Sequence, residues 1–405
     1  MGKLLILGGS ACQLHAFQLA KKRNLQTVLF DYLPHPPAAA LADTHVQVST
    51  FDFEACLHHA RALGVTAVMT LGTDQPVYTA AYIAGALGLP GYLSPGQALA
   101  VTNKARMKEI FDRNNIPTVP WQLVDKAVLC GLDFTTPRVI KPLDSQGQKG
   151  VFRLETAEEA AALYGQSLSF SRCEQLLCED YYPHCEITVS AWVHAGQAKL
   201  LTVTDRITFA QYRHIGVCAA HRYPSQYAAG LQGETASLTQ KITDAFGLSD
   251  GPLYIQILAG KRGLMVNEIA CRIGGAFEDV FIPLLTGFDI LAAVMDAAEG
   301  RPVAPPARTA AGGSVRVLLP FARAGRLAAL TPPEELLALP FVKSAGYNFS
   351  PGDTLPPLEN AGARLGHMVL YAENEAQMQK DLALFYRAFY AKGLSGENLL
   401  IPHEI

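Results

Sequence analysis

The chain has 405 residues, of which 49% are hydrophobic and 17% are charged, and its formal net charge is -3. A chain of this length buries more than one core, so we expect about two or three domains. The slightly acidic balance lacks the basic surface that nucleic-acid binding needs, and no apolar run reaches the roughly 20 residues of a membrane helix. We therefore expect a cytoplasmic protein without a signal peptide whose partners are small molecules.

The first 95 residues alternate predicted strands and helices, which indicates a doubly wound α/β domain. The strands are predicted at 3–7, 27–31, 46–49 and 67–71, and the helices at 11–23 and 53–63. Gly8, Gly9 and Asp31 suggest a dinucleotide site, as in an oxidoreductase, but the full G-x-G-x-x-G spacing is missing. An α/β domain whose helix N-terminus faces a substrate anion is the preferred alternative.

Two lysines stand at notable positions in the next stretch. Ser94-Pro95 opens one predicted helix, and Thr102 or Asn103 caps a second that begins near Lys104. Lys141 lies on a predicted strand that runs into the polar loop 144–150, and another strand follows. Such a loop can fold over phosphates with its backbone N–H groups, although an ordinary hairpin loop is the alternative. No Walker sequence is present.

Acidic and basic residues mark residues 175–222. Two strands are predicted around a proline-containing connection, with Glu179 and Asp180 ending the first and Glu186 starting the second. In a nucleotide cleft this connection would face adenine and ribose, whereas exposed acids are the alternative. The next stretch has no clear periodicity, and a helix is predicted from about 233 to 246. The stretch before this helix contains Arg206, Arg213, His221 and Arg222, with His214 among them. The first four are candidates for a site that binds a substrate carboxylate, and exposed surface residues are the alternative.

The segment from 253 to 279 predicts a β-hairpin with candidate metal-binding side chains. Strands at 253–258 and 263–269 flank a charged turn, and pairing across it brings the side chains of Gln256 and Glu268 together. Hard oxygen donors on a sheet, followed by Arg272 and the pair Gly274 and Gly275, suit a magnesium ion that carries a nucleotide's phosphates. A solvated glutamate at the end of a strand is the alternative.

The remaining chain predicts a helix over 283–299 with a break at 286–289, a proline- and alanine-rich linker over 301–312, and a β-rich tail that ends in a helix. The eight cysteines follow no zinc spacing, so we expect free thiols.

In order, these features resemble an ATP-grasp ligase across nearly the entire chain. The resemblance rests on TNKARMKEIFDRNNIPTVP, VIKPLDSQGQKGV, LLCEDYY with CEITV, YIQILAGKRGLMVNEIACRIGG and RLGHMVLYAENEAQ. It implies a doubly wound α/β domain over 1–95, an ATP-grasp fold of two α+β subdomains over 96–300 with a lid near 122–190, and a small β-rich C-terminal segment over 301–405.

The resemblance also implies roles for individual residues. Lys104 and Lys141 would contact the phosphates of ATP, Gln256 and Glu268 would bind Mg²⁺, with Mn²⁺ as a substitute, and Arg272 would act with Lys141 in catalysis by holding the acyl phosphate. The loop closing over the phosphates would use Ser145, Gln146, Gly147, Lys149 and Gly150. Glu179, Asp180, Tyr181 and Tyr182 would line the adenine, Glu186 would bond the ribose, and Gly274 and Gly275 would frame a carboxylate substrate together with Arg206, His221 and Arg222.

The hairpin departs from the family pattern at two positions. Gln256 stands where an acid is usual, and Ala270 stands where many members have asparagine. We therefore expect one firmly held Mg²⁺, or two with the second held by ATP oxygens and water. Asn267 compensates only if the strand register shifts, because neighbours on a strand face opposite ways.

The expected function is an ATP- and Mg²⁺-dependent carboxylate–amine ligase that forms C–N bonds through an acyl phosphate. The alternatives are a bicarbonate-dependent carboxylase of the purine or carbamoyl phosphate type and a non-catalytic nucleotide-binding regulator. The expected partners are small carboxylates and amines, and the resemblance allows a homodimer.

Overall fold

The structure, a computed structural model, describes residues 2–209, 215–305 and 312–402. Its N-terminal part has the strands β1 (Lys3–Leu7), β2 (Gln26–Asp31), β3 (Thr44–Gln47) and β4 (Ala67–Met69), with the helices α1 (Leu14–Lys22), α2 (Phe53–Leu63) and α3 (Pro76–Leu87). The strands form a parallel sheet in the order β3-β2-β1-β4. The predicted α/β domain is therefore confirmed, and the turns after β1 and β4 lie at one edge of the sheet.

Two helices connect this sheet to the rest of the molecule. Helix α4 (Pro95–Thr102) begins with a capping box at Ser94, and helix α5 (Lys104–Arg113) begins at Asn103, whose side chain accepts a hydrogen bond from the backbone N–H of Arg106. Because Asn103 is the cap, Lys104 is the first residue of α5. The tight succession of the two helices positions that lysine at the site described below.

A four-stranded antiparallel sheet follows. Its strands are β5 (Trp121–Val124), β6 (Arg138–Pro142), β7 (Phe152–Leu154) and β8 (Leu176–Asp180), and its helices are α6 (Lys126–Cys130) and α7 (Ala157–Leu168). The strand order is β5-β8-β6-β7. The polar loop predicted at residues 144–150 connects β6 to β7.

An eight-stranded antiparallel sheet forms the centre. Its strands are β9 (His184–His194), β10 (Gln197–Thr208), β11 (Cys218–Tyr223), β12 (Gly251–Gly260), β13 (Gly263–Ala270), β14 (Ser314–Leu318), β16 (Val342–Tyr347) and β18 (Gly366–Ala372). The order is β13-β12-β9-β10-β11-β14-β18-β16. The β-rich C-terminal segment therefore continues the same sheet as the predicted hairpin.

The other elements pack around this sheet. The helices are α8 (Gln232–Ala245), α9 (Glu278–Thr286), α10 (Ile290–Ala298), α11 (Pro333–Leu337) and α12 (Glu375–Ala388), and a small sheet contains β15 (Gly325–Leu330), β17 (Thr354–Leu355) and β19 (Ala391–Gly393). One core joins β1 and β4 to α9, α10 and β14, through Leu4, Phe281 and Val317 among others. Of the described helices, no single one is long and apolar enough to cross a membrane, and the bent pair α9 and α10 meets that test by length and composition alone.

The stretch that showed no clear periodicity is largely strand. Arg206 lies on β10, and His221 and Arg222 lie on β11, in the interior of the central sheet. Arg206 is 5% exposed and His221 is 1% exposed, so the surface alternative is wrong for both. Arg213 and His214 lie outside the described residues, as do residues 306–311 of the predicted linker over 301–312.

Candidate active site

Two cavities share a wall made of residues 146–149 and Glu268. The first has a volume of about 180 Å³ and the second about 380 Å³. The first is lined by most residues predicted to bind ATP, namely Lys104, Lys141, Ser145, Gln146, Gly147, Lys149, Glu179, Asp180, Tyr181, Tyr182 and Glu186. The second is lined by Arg206, His221, Gln256, Arg272 and Gly275. The fold thus gathers residues that are far apart in the chain.

The loop between β6 and β7 forms hydrogen bonds with the N-terminal sheet domain and with the C-terminal segment. The backbone N–H of Asp74 donates to Gln146 Oε1 at 2.7 Å, and the backbone N–H of Ala361 donates to the Gly147 carbonyl at 3.0 Å. At its end Gly150 has φ of +73°, and a Cβ there would lie 2.8 Å from Pro142 Cγ. A side chain is excluded at Gly150, so its role is to shape the loop.

The predicted phosphate-binding lysines both point at the first cavity but make different contacts. Lys104 Nζ donates to the carbonyl of Ser145 at 2.7 Å. Lys141 Nζ lies 2.5 Å from Glu179 Oε2 and donates to Asn267 Oδ1 at 2.7 Å. Lys141 is therefore fixed where the β6–β7 loop faces β13.

Lys108, which the sequence analysis did not single out, completes a buried charge cluster. Its Nζ lies 2.6 Å from Glu179 Oε1, and the side chains of Lys108 and Glu179 are 2% and 3% exposed. Burial alone would raise the pKa of Glu179, but the two ammonium groups outweigh it and lower this pKa to about 2. Glu179 is thus ionised, and its carboxylate is engaged by lysines.

The side chains of the other residues predicted to line the adenine contact groups of the protein itself. Asp180 pairs with Arg138, and Tyr181 stacks under the Arg153 guanidinium at 4.0 Å. The Tyr182 hydroxyl donates to the carbonyl of Gly263 at 2.9 Å. These contacts leave backbone groups and ring faces as what this segment can offer to a base.

Glu186 and Arg206, predicted for ribose and for substrate, are paired with each other. Arg206 Nη1 donates to Glu186 Oε2 at 2.5 Å, and Nη2 donates to the Gly216 carbonyl at 2.8 Å. The pKa of Glu186 is lowered because these contacts outweigh its burial. The charge of Arg206 is therefore already neutralised before any ligand arrives.

The predicted hairpin is present, and its register determines which side chains lie side by side at the predicted metal position. Gln256 lies opposite Glu268 in the β12–β13 pair, and the register then shifts so that Ile257 lies opposite Val266. This bulge leaves Asn267 as an extra residue. Its Nδ2 lies 3.5 Å from Gln256 Oε1, and both Asn267 and Glu268 line the first cavity. The register shift on which compensation by Asn267 depended does occur.

The donor set suits a magnesium ion. Gln256, Asn267 and Glu268 offer amide and carboxylate oxygens, the hard ligands that Mg²⁺ prefers. Within the described parts of the chain, the carboxylate of Glu268 has no hydrogen-bond or ion-pair partner, although Glu268 lines both cavities. The fit therefore rests on a carboxylate with unused oxygens between two amide side chains.

Arg272 is oriented by Asp74 from the N-terminal sheet. Its Nε donates to Asp74 Oδ1 at 2.9 Å, and the guanidinium lies 4.7 Å from the centre of the Tyr254 ring. Arg272 is 6% exposed. Asp74 outweighs the effect of burial and raises the pKa of Arg272. Sequence analysis missed Asp74, whose neighbours Gly72 and Thr73 also line the second cavity.

The residues predicted to bind or frame a substrate carboxylate do not all lie at the second cavity. His221 lines the second cavity, but burial lowers its pKa to about 3, so it is neutral at pH 7. Arg222 lines neither cavity and instead pairs with Asp205 at 2.6 Å. Gly275 lines the second cavity, whereas Gly274 packs against the carboxyl group of Glu278, 2.0 Å from where a Cβ would stand.

The C-terminal segment supplies a wall of the second cavity that sequence analysis did not assign. Asn348, Arg364, Gly366 and His367 line it together with Phe277, whose ring stacks on His367 with centroids 3.5 Å apart. The only signal for this wall was RLGHMVLY, which entered the resemblance without a role. Its position follows from β14 and β18 joining the central sheet.

Known structures share this architecture over nearly the whole chain. L-amino acid ligase from Bacillus licheniformis has a TM-score of 0.83 and 17% identity, with 97% of this chain and 99% of that chain covered. Phosphoribosylglycinamide synthetase from Anaerococcus prevotii has a TM-score of 0.75 and 16% identity, with 97% and 99% covered. The corresponding values for N5-carboxyaminoimidazole ribonucleotide synthetase from Thermotoga maritima are 0.72, 17%, 97% and 100%. The predicted ATP-grasp fold is confirmed.

The fold is thus that of the ATP-grasp ligases, as the sequence predicted. Residues 317–387 match the family described as L-amino acid ligase C-terminal domain 2. The chain is also 22% identical over 336 residues to an L-arginine-specific L-amino acid ligase of Bacillus subtilis, with 78% of each sequence covered.

Proposed function

We propose that the protein is an ATP- and Mg²⁺-dependent ligase that joins the carboxylate of one amino acid to the amine of a second substrate. The observation that carries the proposal is the position of Glu268 in the wall between the two cavities. ATP would occupy the first cavity and the carboxylate the second, so the γ-phosphate and the carboxylate would meet beside Glu268, Gln256 and Arg272.

The first step would transfer the γ-phosphoryl group to the carboxylate oxygen, giving ADP and an acyl phosphate. In the second step the amine nitrogen would attack the acyl carbon, the C–O bond to phosphate would break, and the nitrogen would lose a proton. Phosphoryl transfer of this kind depends on positioning and on neutralising charge. Bound Mg²⁺, or Mn²⁺ in its place, supplies positive charge at the phosphate oxygens.

The protein groups would divide this work by position. Lys104 and Lys141 face the first cavity with the β6–β7 loop, and Arg272 faces the second. Arg272 presents a planar guanidinium, which suits the two oxygens of a carboxylate or acyl phosphate better than an ammonium does. Asp74 would fix its orientation.

The domain division is part of the same proposal. Residues 1–95 and 96–300 would form the N-terminal and ATP-grasp domains, residues 122–190 a lid, and residues 301–405 the C-terminal segment. In this division the β5-β8-β6-β7 sheet would carry the loop over the phosphates. A cytoplasmic location and a homodimer stay predictions.

An ADP-release assay tests the proposed function. The purified protein is incubated with ATP, Mg²⁺ and every pair of the common amino acids, or with bicarbonate alone, and products are identified by mass spectrometry. We expect ADP, phosphate and a dipeptide in equal amounts for a subset of pairs. Release with bicarbonate alone would indicate the carboxylase, and absence of release in every mixture would indicate the regulator.

A further inference from the structure

One side chain of the β6–β7 loop contacts the turn after β4 (residues 72–75), which orients Arg272. Gln146 Oε1 accepts a hydrogen bond from the backbone N–H of Asp74 at 2.7 Å and another from the backbone N–H of Gln75 at 3.3 Å. The carboxylate of Asp74 in turn accepts from Arg272 Nε at 2.9 Å. Asp74 thus contacts the loop beside the first cavity through its backbone and the arginine of the second cavity through its side chain.

The turn after β4 is fixed on its other sides as well. Gln75 Nε2 donates to the Thr50 carbonyl at 2.6 Å, which anchors the turn in the N-terminal α/β domain. The backbone N–H of Gly72 donates to the Ile273 carbonyl at 3.0 Å, and Arg272 Nη1 donates to the same carbonyl at 3.2 Å. Because the turn and the segment after β13 share these bonds, the position of the turn determines how the Arg272 guanidinium is held.

The residues on either side of Gln146 bind other parts of the protein, so the loop is stretched across the first cavity. The Ser145 carbonyl accepts from Lys104 Nζ at 2.7 Å, and the Gly147 carbonyl accepts from the backbone N–H of Ala361 at 3.0 Å. Gln146 is half-buried and lines both cavities. A ligand that orders this loop therefore also orders the amide oxygen that the turn after β4 binds.

We propose that Gln146 is a positioning residue through which nucleotide binding in the first cavity and carboxylate binding in the second cavity favour each other. This inference rests on the proposed function. A loop held over the phosphates keeps Gln146 on the N–H groups of the turn, and the turn keeps Asp74 against Arg272. The guanidinium is then already oriented when the carboxylate arrives, which lowers the cost of binding it. Because such an effect is reciprocal, a bound amino acid should tighten nucleotide binding by the same factor.

Calorimetric titration of the purified protein measures this factor. The amino acid that gives the fastest ADP release is titrated into the protein alone, and then into the protein saturated with Mg²⁺ and the non-hydrolysable ATP analogue AMP-PNP. For the wild-type protein we expect the analogue to lower the Kd of the amino acid by about tenfold. An unchanged Kd would overturn the proposal, and this measurement needs no variant.

Three variants connect the factor to the amide oxygen of Gln146. Gln146→Met removes the acceptor at nearly constant side-chain length, so the analogue should change the Kd of the amino acid by less than about twofold. Gln146→Glu keeps an oxygen acceptor and should restore the effect, although its charge beside the phosphates weakens nucleotide binding. Gln122→Met, at an exposed glutamine of β5, is the matched control and should behave as wild type. A wild-type factor in Gln146→Met would overturn the proposal.

The double variant of Gln146→Met with Asp74→Asn tests whether the effect passes through Asp74. Asp74→Asn alone should already reduce the factor, so adding Gln146→Met should change it by no more than about twofold further. Two independent losses that multiply would overturn the inference. Dipeptide formation together with any of these contrary results leaves the proposed function standing. If no pair of amino acids releases ADP, the proposed function fails and the inference fails with it.

Discussion

Gln256 and Glu268 lie directly opposite each other in the β12–β13 pair, immediately before a bulge that leaves Asn267 unpaired. On a regular strand Asn267 and Glu268 would face opposite sides of the sheet. Because of the bulge both line the first cavity, and Asn267 contacts Lys141 as well as Gln256. The local distortion thus brings the amide of Asn267 to the same cavity as the carboxylate of Glu268.

Glu268→Gln should weaken magnesium use while preserving the fold. The change removes the only carboxylate among the three donors, so the Mg²⁺ concentration for half-maximal ADP formation should rise by about tenfold or more. Direct titration of Mn²⁺ into the protein gives a second measure that does not depend on turnover. Glu234→Gln, at an exposed position of α8, is the matched control. Unchanged metal dependence in Glu268→Gln would remove Glu268 from the metal site.

The β12–β13 hairpin could be predicted because its two strands are adjacent in the chain and the alternation of polar residues fixes which side chains meet. Asp74 and Arg272 are 198 residues apart, and nothing local marks Asp74 as the partner. Similarly, β10 and β11 carry Asp205, Arg206, His221 and Arg222, polar residues that look exposed in a sequence. Arg206 pairs with Glu186 and Arg222 with Asp205, while burial keeps His221 neutral. Such surroundings become visible only in three dimensions.

Asp74→Asn should lower kcat, because Asp74 orients the guanidinium of Arg272 and would act on the reaction only through that contact. Asparagine keeps the shape but loses the charge that orients the guanidinium, so we expect kcat to fall by about tenfold, against about 100-fold or more for Arg272→Ala. The affinity for ADP should stay near the wild-type value in both variants, since neither residue lines the first cavity.

The double variant, compared with the two single variants, shows whether Asp74 affects turnover only through Arg272. If Asp74 works only through Arg272, the double variant Asp74→Asn with Arg272→Ala should be no slower than Arg272→Ala alone. Multiplying losses would show that Asp74 has an independent role. Retained turnover in Arg272→Ala would contradict its assignment to the acyl phosphate.

Glu278→Gln should make the protein more stable at alkaline pH. Glu278 is 1% exposed, and burial raises its pKa to about 7 from 4.5, although the Ala276 N–H and Arg272 oppose the rise. A raised carboxyl pKa contributes stability below pH 4.5 that is lost as the pH rises through 7. Relative to wild type, the variant should therefore gain on the order of 3 kcal/mol at pH 8 and little at pH 5.

Urea unfolding at the two pH values measures this difference, with Glu234→Gln as the exposed control. A gain that is the same at pH 5 and pH 8 would place its origin in packing around Gly274 rather than in ionisation.

Lys108→Met should destabilise the protein because it leaves part of a buried carboxylate uncompensated. Glu179 would keep Lys141 and lose the ammonium at 2.6 Å, which costs about 3 kcal/mol when one partner of a buried pair is removed. Because the pKa of Glu179 is lowered to about 2, its favourable contribution is present above 4.5 and is lost as the pH falls towards 2. The loss caused by Lys108→Met, measured by urea unfolding, should therefore be larger at pH 7 than at pH 4.

Lys126→Met, at an exposed lysine of α6, should change stability little, and adding Glu179→Gln to Lys108→Met should restore part of the loss. A double variant less stable than Lys108→Met alone would mean that Lys141 and Glu179 stabilise the fold without Lys108.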